Sequence, residues 1–127
     1  MSKWVIPCEK GFITNIEPGQ TIERTYPNTY HGLEIGDIVF VYVSQDVSEL
    51  KYETELIDKR NLETGFSITL EMIRSFDYPE FKYENMPNFT NAFRNPQEIS
   101  PEFERYIDEV IENHQQDSEK TKKDWYR

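Results

Sequence analysis

The sequence predicts an α+β fold in which a small, mostly antiparallel barrel or curled sheet is closed by a C-terminal helix. Three observations support this fold class: a nearly continuous apolar run at residues 38–44, two alternating segments after it, and one amphipathic segment near the C-terminus. A chain of 127 residues has the length of one domain. We therefore expect a single domain rather than two.

The first part of the chain predicts two strands separated by a long loop. "KWVIPC" is typical of a short strand that ends at Pro7, because proline cannot donate to a sheet ladder. "DIVFVYVS" is apolar without alternation, which predicts a central strand buried on both faces. Between them, residues 9–35 contain the turn signals "IEPGQ" and "YPNTYHG", and we expect an irregular loop there.

Two alternating segments follow the central strand and predict an antiparallel pair. In "LKYETELI" the side chains of Tyr52, Thr54 and Leu56 share one face. "FSITLEMI" alternates in the same way, and "DKRNLETG" between the two segments is predicted as a loop.

The C-terminal part predicts one helix after an ordered aromatic loop over residues 77–97 with a single helical turn. In "SPEFERYIDEVIENH", Ser100 suits the N-cap and Pro101 suits the first helical position. Apolar residues recur at helical spacing and predict a buried stripe: Phe103, Tyr106, Ile107, Val110 and Ile111. Residues 115–127 are predicted as a polar, flexible tail outside the domain of residues 1–114.

Composition limits the classes of function. The net charge of −10 disfavours strong non-specific binding to DNA, because an acidic surface repels phosphates. One cysteine allows no internal disulfide and fits a cytoplasmic location. Neither a signal peptide nor a membrane-spanning apolar run is present in the sequence. With one cysteine and two histidines we expect no metal and no cofactor.

Several segments occur in an order that resembles the EVE domain family of the PUA-like superfamily. They are "WVIPC", "GDIVFVYVS", "LKYETELI", "ITLEMI" and "FRNPQEISPEFERYI", over roughly residues 2 to 112. The most specific are the G-D-x-V-x-x-Y-x-S pattern from Gly36 to Ser44 and the Arg94–Gln97 turn. The resemblance implies a PUA-like pseudobarrel that binds nucleic acid, often through a modified base. Among similar domains, YTH domains read methylated adenine in an aromatic cage, and some EVE-like modules read modified cytosine. Base readers of this kind flip the base out of the stack.

The first group of candidate ligand-binding residues lies on or beside the predicted strands. The resemblance places Ser44 at the pocket mouth and Tyr42 at its rim, whereas a serine that caps a turn is the structural alternative. Trp4 is a wall of the cage or a core residue. Pro7 and Cys8 offer backbone groups at a strand end, and an inert buried thiol is the default for Cys8.

The second group lies in the two predicted loops. Tyr26, Tyr30 and His31 either stack on a base or plug the open end of the barrel, and His31 is favoured as a surface histidine. Phe93 and Arg94 belong to an aromatic and basic cluster, and Asn95 beside them is a further candidate. Arg94 either contacts a phosphate or pairs with Glu98 or Glu102.

The expected function is that of a non-catalytic binding module rather than an enzyme. Its partner is expected to be a modified base in DNA or RNA, or a free nucleotide, with no membrane involved. One alternative is an acidic protein-interaction or inhibitor module, which rests on the charge. A small hydrolase of modified nucleosides is the weakest alternative, because "PGQTIERTY" has Gln20 where related amidohydrolases use a lysine, and no other catalytic set is present.

Overall fold

A computed structural model describes residues 2–9, 16–28, 32–44, 48–86 and 96–125. Within these residues one mixed sheet has the strand order β2-β5-β4-β3-β1-β6. Helix α1 follows the sheet in sequence. The bounds are β1 Lys3–Glu9, β2 Thr21–Pro27, β3 Ile38–Ser44, β4 Glu49–Asn61, β5 Gly65–Ser75, 3-10 turns Pro79–Phe81 and Tyr83–Asn85, β6 Gln97–Glu98, and α1 Pro101–Trp125. The predicted α+β class is confirmed.

The sheet is mostly antiparallel and curls into a half-barrel. β1 and β3 are parallel, and the other four strand pairings are antiparallel. The register shifts once between β3 and β4 and twice between β4 and β5. Such irregularities bend a strand and increase its local twist, which favours curling.

β3 is the central strand, with β1 on one side and β4 on the other. Val39, Val41 and Val43 pack on one face, and Phe40 and Tyr42 pack on the other. We call the first the inner face and the second the outer face. The predicted burial of this strand on both faces is confirmed.

Each face of the sheet carries its own hydrophobic core. The inner core draws side chains from β1 to β5 and from Leu33: Trp4, Ile6, Cys8, Tyr26, Val39, Val41, Val43, Tyr52, Leu56, Phe66, Ile68, Leu70 and Met72. The outer core is formed by β1, β3, residues near the 3-10 turns, and the apolar side of α1. The helix therefore packs on the back of the sheet rather than across an end of the half-barrel.

α1 begins as the sequence predicts and ends later. The hydroxyl oxygen of Ser100 accepts a hydrogen bond from the backbone N–H of Phe103 at 3.2 Å, as an N-cap does. The predicted stripe is buried, with Tyr106 half-buried. The helix continues past His114 to Trp125, where a polar tail was expected. Residues 115–125 contain no glycine or proline, and lysines in the last turns suit the helix dipole. None of the helices in the described ranges is long and apolar enough to cross a membrane.

Four strands differ from the prediction. β4 extends to Asn61, into the segment "DKRNLETG" predicted as a loop, because its last residues pair with β5, and the two-residue strand β6 was not predicted. β2 lies inside the segment predicted as a loop; it is an edge strand whose outward residues are polar, so its sequence signal is weak. β1 continues through Pro7 to Glu9. Pro7 lies beyond the end of β6, whose register with β1 stops at Val5, so the missing N–H removes no bond to β6.

Candidate functional site

The half-barrel brings three of the predicted site residues to its inner face. Trp4 and Cys8 lie on the same side of β1, four residues apart, and Tyr26 reaches the same core from β2 near the other edge of the sheet. All three are buried, with exposed fractions of 8 %, 2 % and 7 %. Curling of the sheet therefore places residues of β1 and β2, which are four strands apart in the strand order, in one core.

Tyr42 and Pro7 belong to the other side of the sheet. They are register partners across β1 and β3, and Tyr42 packs in the outer core. Burial raises the pKa of the Tyr42 phenol above its ordinary value, although a hydrogen bond with Ser48 acts in the opposite direction. Tyr42 therefore does not share a face with Trp4.

A small open depression lies near Tyr42 on this side. It has a volume of about 240 Å³ and is lined by Ser48, Lys82, Tyr83 and Glu84. The Tyr42 and Tyr83 rings meet edge to face, with centroids 6.4 Å apart. The depression is exposed, and the inner-face residues have no part in it.

For the remaining predicted site residues, the structure describes only the backbone of Ser44. Ser44 is the last residue of β3 and pairs with Glu9 in the backbone register. Its side chain lies outside the described atoms. Five predicted site residues fall outside the described ranges altogether: Tyr30, His31, Phe93, Arg94 and Asn95.

The Gly-Asp pair at the start of the G-D-x-V pattern has a structural role. Asp37 is buried, and its carboxylate accepts hydrogen bonds from the backbone N–H of Ser2 at 3.0 Å and of Glu34 at 2.9 Å. Gly36 has a φ of +98°, which favours glycine. The pair thus closes the turn before β3 and fixes the start of β1 beside it.

The indole of Trp4 carries an unsatisfied donor. Its Nε1–H is buried and has no acceptor among the residues that the structure describes. Gly32 lies beside the six-membered part of the ring: a Cβ atom at position 32 would be 3.2 Å from Cζ2 and 3.3 Å from Cη2. Gly32 is itself exposed, so this part of the indole lies next to an exposed backbone position.

Two cations reach the inner face beside these rings, and sequence reasoning missed both. Arg24 on β2 and Lys59 on β4 are the two register partners of Ile68 on β5. The side chains of β4 alternate between the two faces, and the register shift between Leu56 and Asp58 adds one residue to that alternation. Lys59 therefore faces inward, as Leu56 does. The alternation of Ile22, Arg24 and Tyr26 could have indicated Arg24, had β2 been predicted as a strand.

Both cations lie over aromatic rings of the inner core. The Lys59 ammonium lies 4.8 Å from the Phe66 ring centroid, and the Arg24 guanidinium carbon lies 5.8 Å from the Tyr26 centroid. The Tyr26 and Phe66 centroids are 6.0 Å apart. We call Trp4, Gly32, Arg24, Tyr26, Lys59 and Phe66 the inner site.

Cys8 is an inert member of the same face. Burial raises the pKa of its thiol above the ordinary value, and the charge of Arg24 opposes this shift. A thiol that keeps its proton is a poor nucleophile at neutral pH. In the described ranges no three His, Cys, Asp or Glu side chains converge as a metal site requires.

No family model, curated protein or solved structure matches this chain. The resemblance to the EVE domain family therefore stays a prediction.

Proposed function

We propose that this domain is a non-catalytic module that binds a nucleobase, in a modified form, at the inner site. The buried Nε1–H of Trp4 carries the proposal, because it lacks an acceptor within the described ranges. The six-membered ring of the same indole lies beside exposed Gly32. A buried donor without a partner costs about 1–3 kcal/mol. A ligand that supplies an acceptor to this N–H recovers that cost and gains affinity from it.

The aromatic rings of the inner site favour a flat ligand. Tyr26 and Phe66 lie close together on the same face as Trp4, and base–aromatic stacking contributes about 1–3 kcal/mol per base. Nucleobases combine a flat ring with carbonyl and ring-nitrogen acceptors on their edges. They therefore match both the rings and the unpaired donor.

The charge of the chain supports a base or a nucleotide as the ligand over a long duplex. A net charge of −10 opposes extended contact with a phosphate backbone. The resemblance to EVE domains agrees with this proposal, since Trp4 stands in the "WVIPC" segment that carries part of it. A PUA-like pseudobarrel is the corresponding proposal for the fold family.

Calorimetric titration with adenosine, cytidine and their methylated forms tests the proposal. We expect one modified nucleoside to bind the wild-type protein. Trp4→Phe keeps an aromatic ring but removes the N–H, and should weaken binding about tenfold, the equivalent of about 1.4 kcal/mol. Trp125→Phe is the matched control and should bind as the wild type does.

Absence of binding to every nucleoside and to short single strands of the same bases would contradict the proposal. The acidic module would then be the better hypothesis. The exposed side of α1 up to Gln115 supports that alternative, because its charged side chains are four acids and one base: Glu102, Arg105, Asp108, Glu109 and Glu112.

A further inference from the structure

We infer that the inner site holds an anion subsite built on Lys59 and Arg24, and that the ligand is therefore a nucleotide whose phosphate contacts Lys59. The inference rests on the proposed function and specifies its ligand class. It concerns two residues that lie on different strands and flank Ile68 across β5.

Lys59 has only neutral partners within the described ranges. Its ammonium donates one hydrogen bond to the carbonyl oxygen of Leu33 at 2.8 Å and lies over the ring of Phe66. An ammonium has three N–H donors, so two of them have no acceptor among the described residues and can bind a ligand. The side chain is half-buried, and an anion that binds there meets a charge only partly screened by water.

Four other basic side chains differ from Lys59 in that each forms an ion pair with a carboxylate. Each of them contacts a carboxylate within 4 Å: Lys3 with Glu104, Lys51 with Glu49, Arg60 with Glu23, and Arg74 with Glu53. Lys59 has no such carboxylate in the part of the chain that the structure describes. In a protein with 24 acidic residues, an inward lysine bonded to a carbonyl is a local positive centre.

Arg24 places a second positive charge on the same row. Neighbouring strands lie about 4.8 Å apart, so the backbones of Arg24 and Lys59 are separated by about 10 Å across β5. The Nε of Arg24 lies 3.4 Å from the Tyr26 hydroxyl, and the charge of Arg24 acts on the Cys8 thiol inside the half-barrel. The guanidinium thus raises the positive potential of the inner face on the β2 side.

Lys59 and the indole are linked by one short segment. Gly32 lies against the Trp4 ring, and the next residue, Leu33, provides the carbonyl that holds Lys59. A base at Trp4 therefore brings its attached sugar and phosphate into the neighbourhood of Lys59. A phosphate oxygen accepts the free N–H groups of Lys59 as charge-assisted hydrogen bonds.

The test compares each nucleoside with its 5′-monophosphate in the same calorimetric titration. We expect the monophosphate to bind about ten- to a hundredfold more tightly, as charge-assisted bonds do. That preference should fall in Lys59→Gln and in Arg24→Gln. Arg60→Gln is the matched control, because it removes the same charge from the adjacent residue on the opposite face. It should keep the preference.

A measurement on the wild-type protein keeps the test independent of how the variants fold. Affinity for the monophosphate should fall when NaCl is raised from 50 to 500 mM, whereas affinity for the nucleoside should not. A pentanucleotide that contains the same base tests the source of the phosphate. Tighter binding of the pentanucleotide than of the monophosphate assigns the site to a phosphodiester in a strand.

The outcomes separate this inference from the proposed function. Equal binding of nucleoside and monophosphate overturns the anion subsite and leaves base binding intact. Retention of the preference in both Lys59→Gln and Arg24→Gln also overturns it. Failure of both ligands to bind overturns the proposed function as well.

Discussion

Gly32 lies against the indole edge of Trp4 so closely that a Cβ atom at position 32 would be 3.2 Å from Cζ2. The glycine has a φ of +107°, a region that L side chains rarely adopt. Both facts follow from a chain that must pass over a buried aromatic ring before it enters β3. The same indole carries an N–H that has no acceptor among the described residues, which makes Trp4 the centre of the proposed site.

The first prediction is that Gly32→Ala destabilises the fold more than Gly19→Ala. Both glycines have positive φ, so each alanine costs about 1–3 kcal/mol of backbone strain. Only the alanine at position 32 also meets Trp4, whereas a Cβ at position 19 meets nothing within 4 Å. Urea denaturation of the two variants measures the difference, and equal losses would contradict the close packing.

The second prediction concerns a buried hydroxyl between β3 and β4. Thr54 is buried, and its Oγ1 donates to the carbonyl oxygen of Val39 at 2.6 Å. Thr54→Val keeps the shape and removes this bond, which should lower the free energy of unfolding by about 1–3 kcal/mol. Thr25→Val, at an exposed position of β2, should change it by less than about 0.5 kcal/mol. If Thr54→Val left the free energy of unfolding unchanged, this hydrogen bond would not contribute to stability.

The third prediction is that stability falls at alkaline pH. Burial raises the pKa of Cys8 above its ordinary value of 9.0. Above pH 9.0 the unfolded chain loses this proton while the folded chain keeps it, so the folded state binds more protons. The free energy of unfolding therefore falls as pH rises, by at most about 1.4 kcal/mol per pH unit for this group. Well below pH 9.0 the thiol is protonated in both the folded and the unfolded chain, so this group does not change how the free energy of unfolding depends on pH. Tyr42 and Tyr106, whose pKa values are also raised by burial, add losses of the same sign above pH 10.0.

Urea denaturation between pH 8 and pH 10 checks this dependence, with Cys8→Ala as the control. The variant loses a buried side chain and is less stable throughout, but its stability should decline less steeply from pH 9. Parallel curves for the two proteins would rule out a raised thiol pKa. We also expect the Cys8 thiol to be alkylated more slowly at pH 8 in the native protein than in the urea-unfolded chain.

The fourth prediction concerns the attachment of α1 to the 3-10 turns. His114 stacks on Tyr78 with centroids 3.8 Å apart, and its Nε2 lies 2.6 Å from the Glu80 carboxylate. A double-mutant cycle with Glu80→Gln and His114→Ala should give a coupling energy of about 0.5–1 kcal/mol. The more exposed pair of Arg60 and Glu23, at 3.6 Å, is the control and should couple near zero. A coupling energy no larger than that of the control pair would show that the contact between His114 and Glu80 does not help to hold α1 against the 3-10 turn.

Strong local patterns made much of the fold predictable. The unbroken apolar run of β3, the alternation of β5 and the Ser100 cap each depend on neighbouring residues alone. The edge strand β2 and the last residues of β4 were missed, because their exposed positions are polar and their identity as strands depends on pairing with β5.

The site was less predictable, since it depends on how the sheet curls. Trp4, Cys8 and Tyr26 are on one face, whereas Tyr42 faces the helix, because successive residues of a strand alternate between faces. Lys59 could not be foreseen. A register shift that no local pattern announces turns it inward.

The measurement that tests the central claim most directly is a ¹⁵N–¹H spectrum of the Trp125→Phe variant, in which Trp4 gives the one indole N–H signal. On titration with the modified nucleoside or its monophosphate, we predict that this signal moves downfield and exchanges more slowly with solvent, because Nε1–H gains an acceptor. Saturable binding of the ligand with an unchanged Trp4 indole signal would contradict the account.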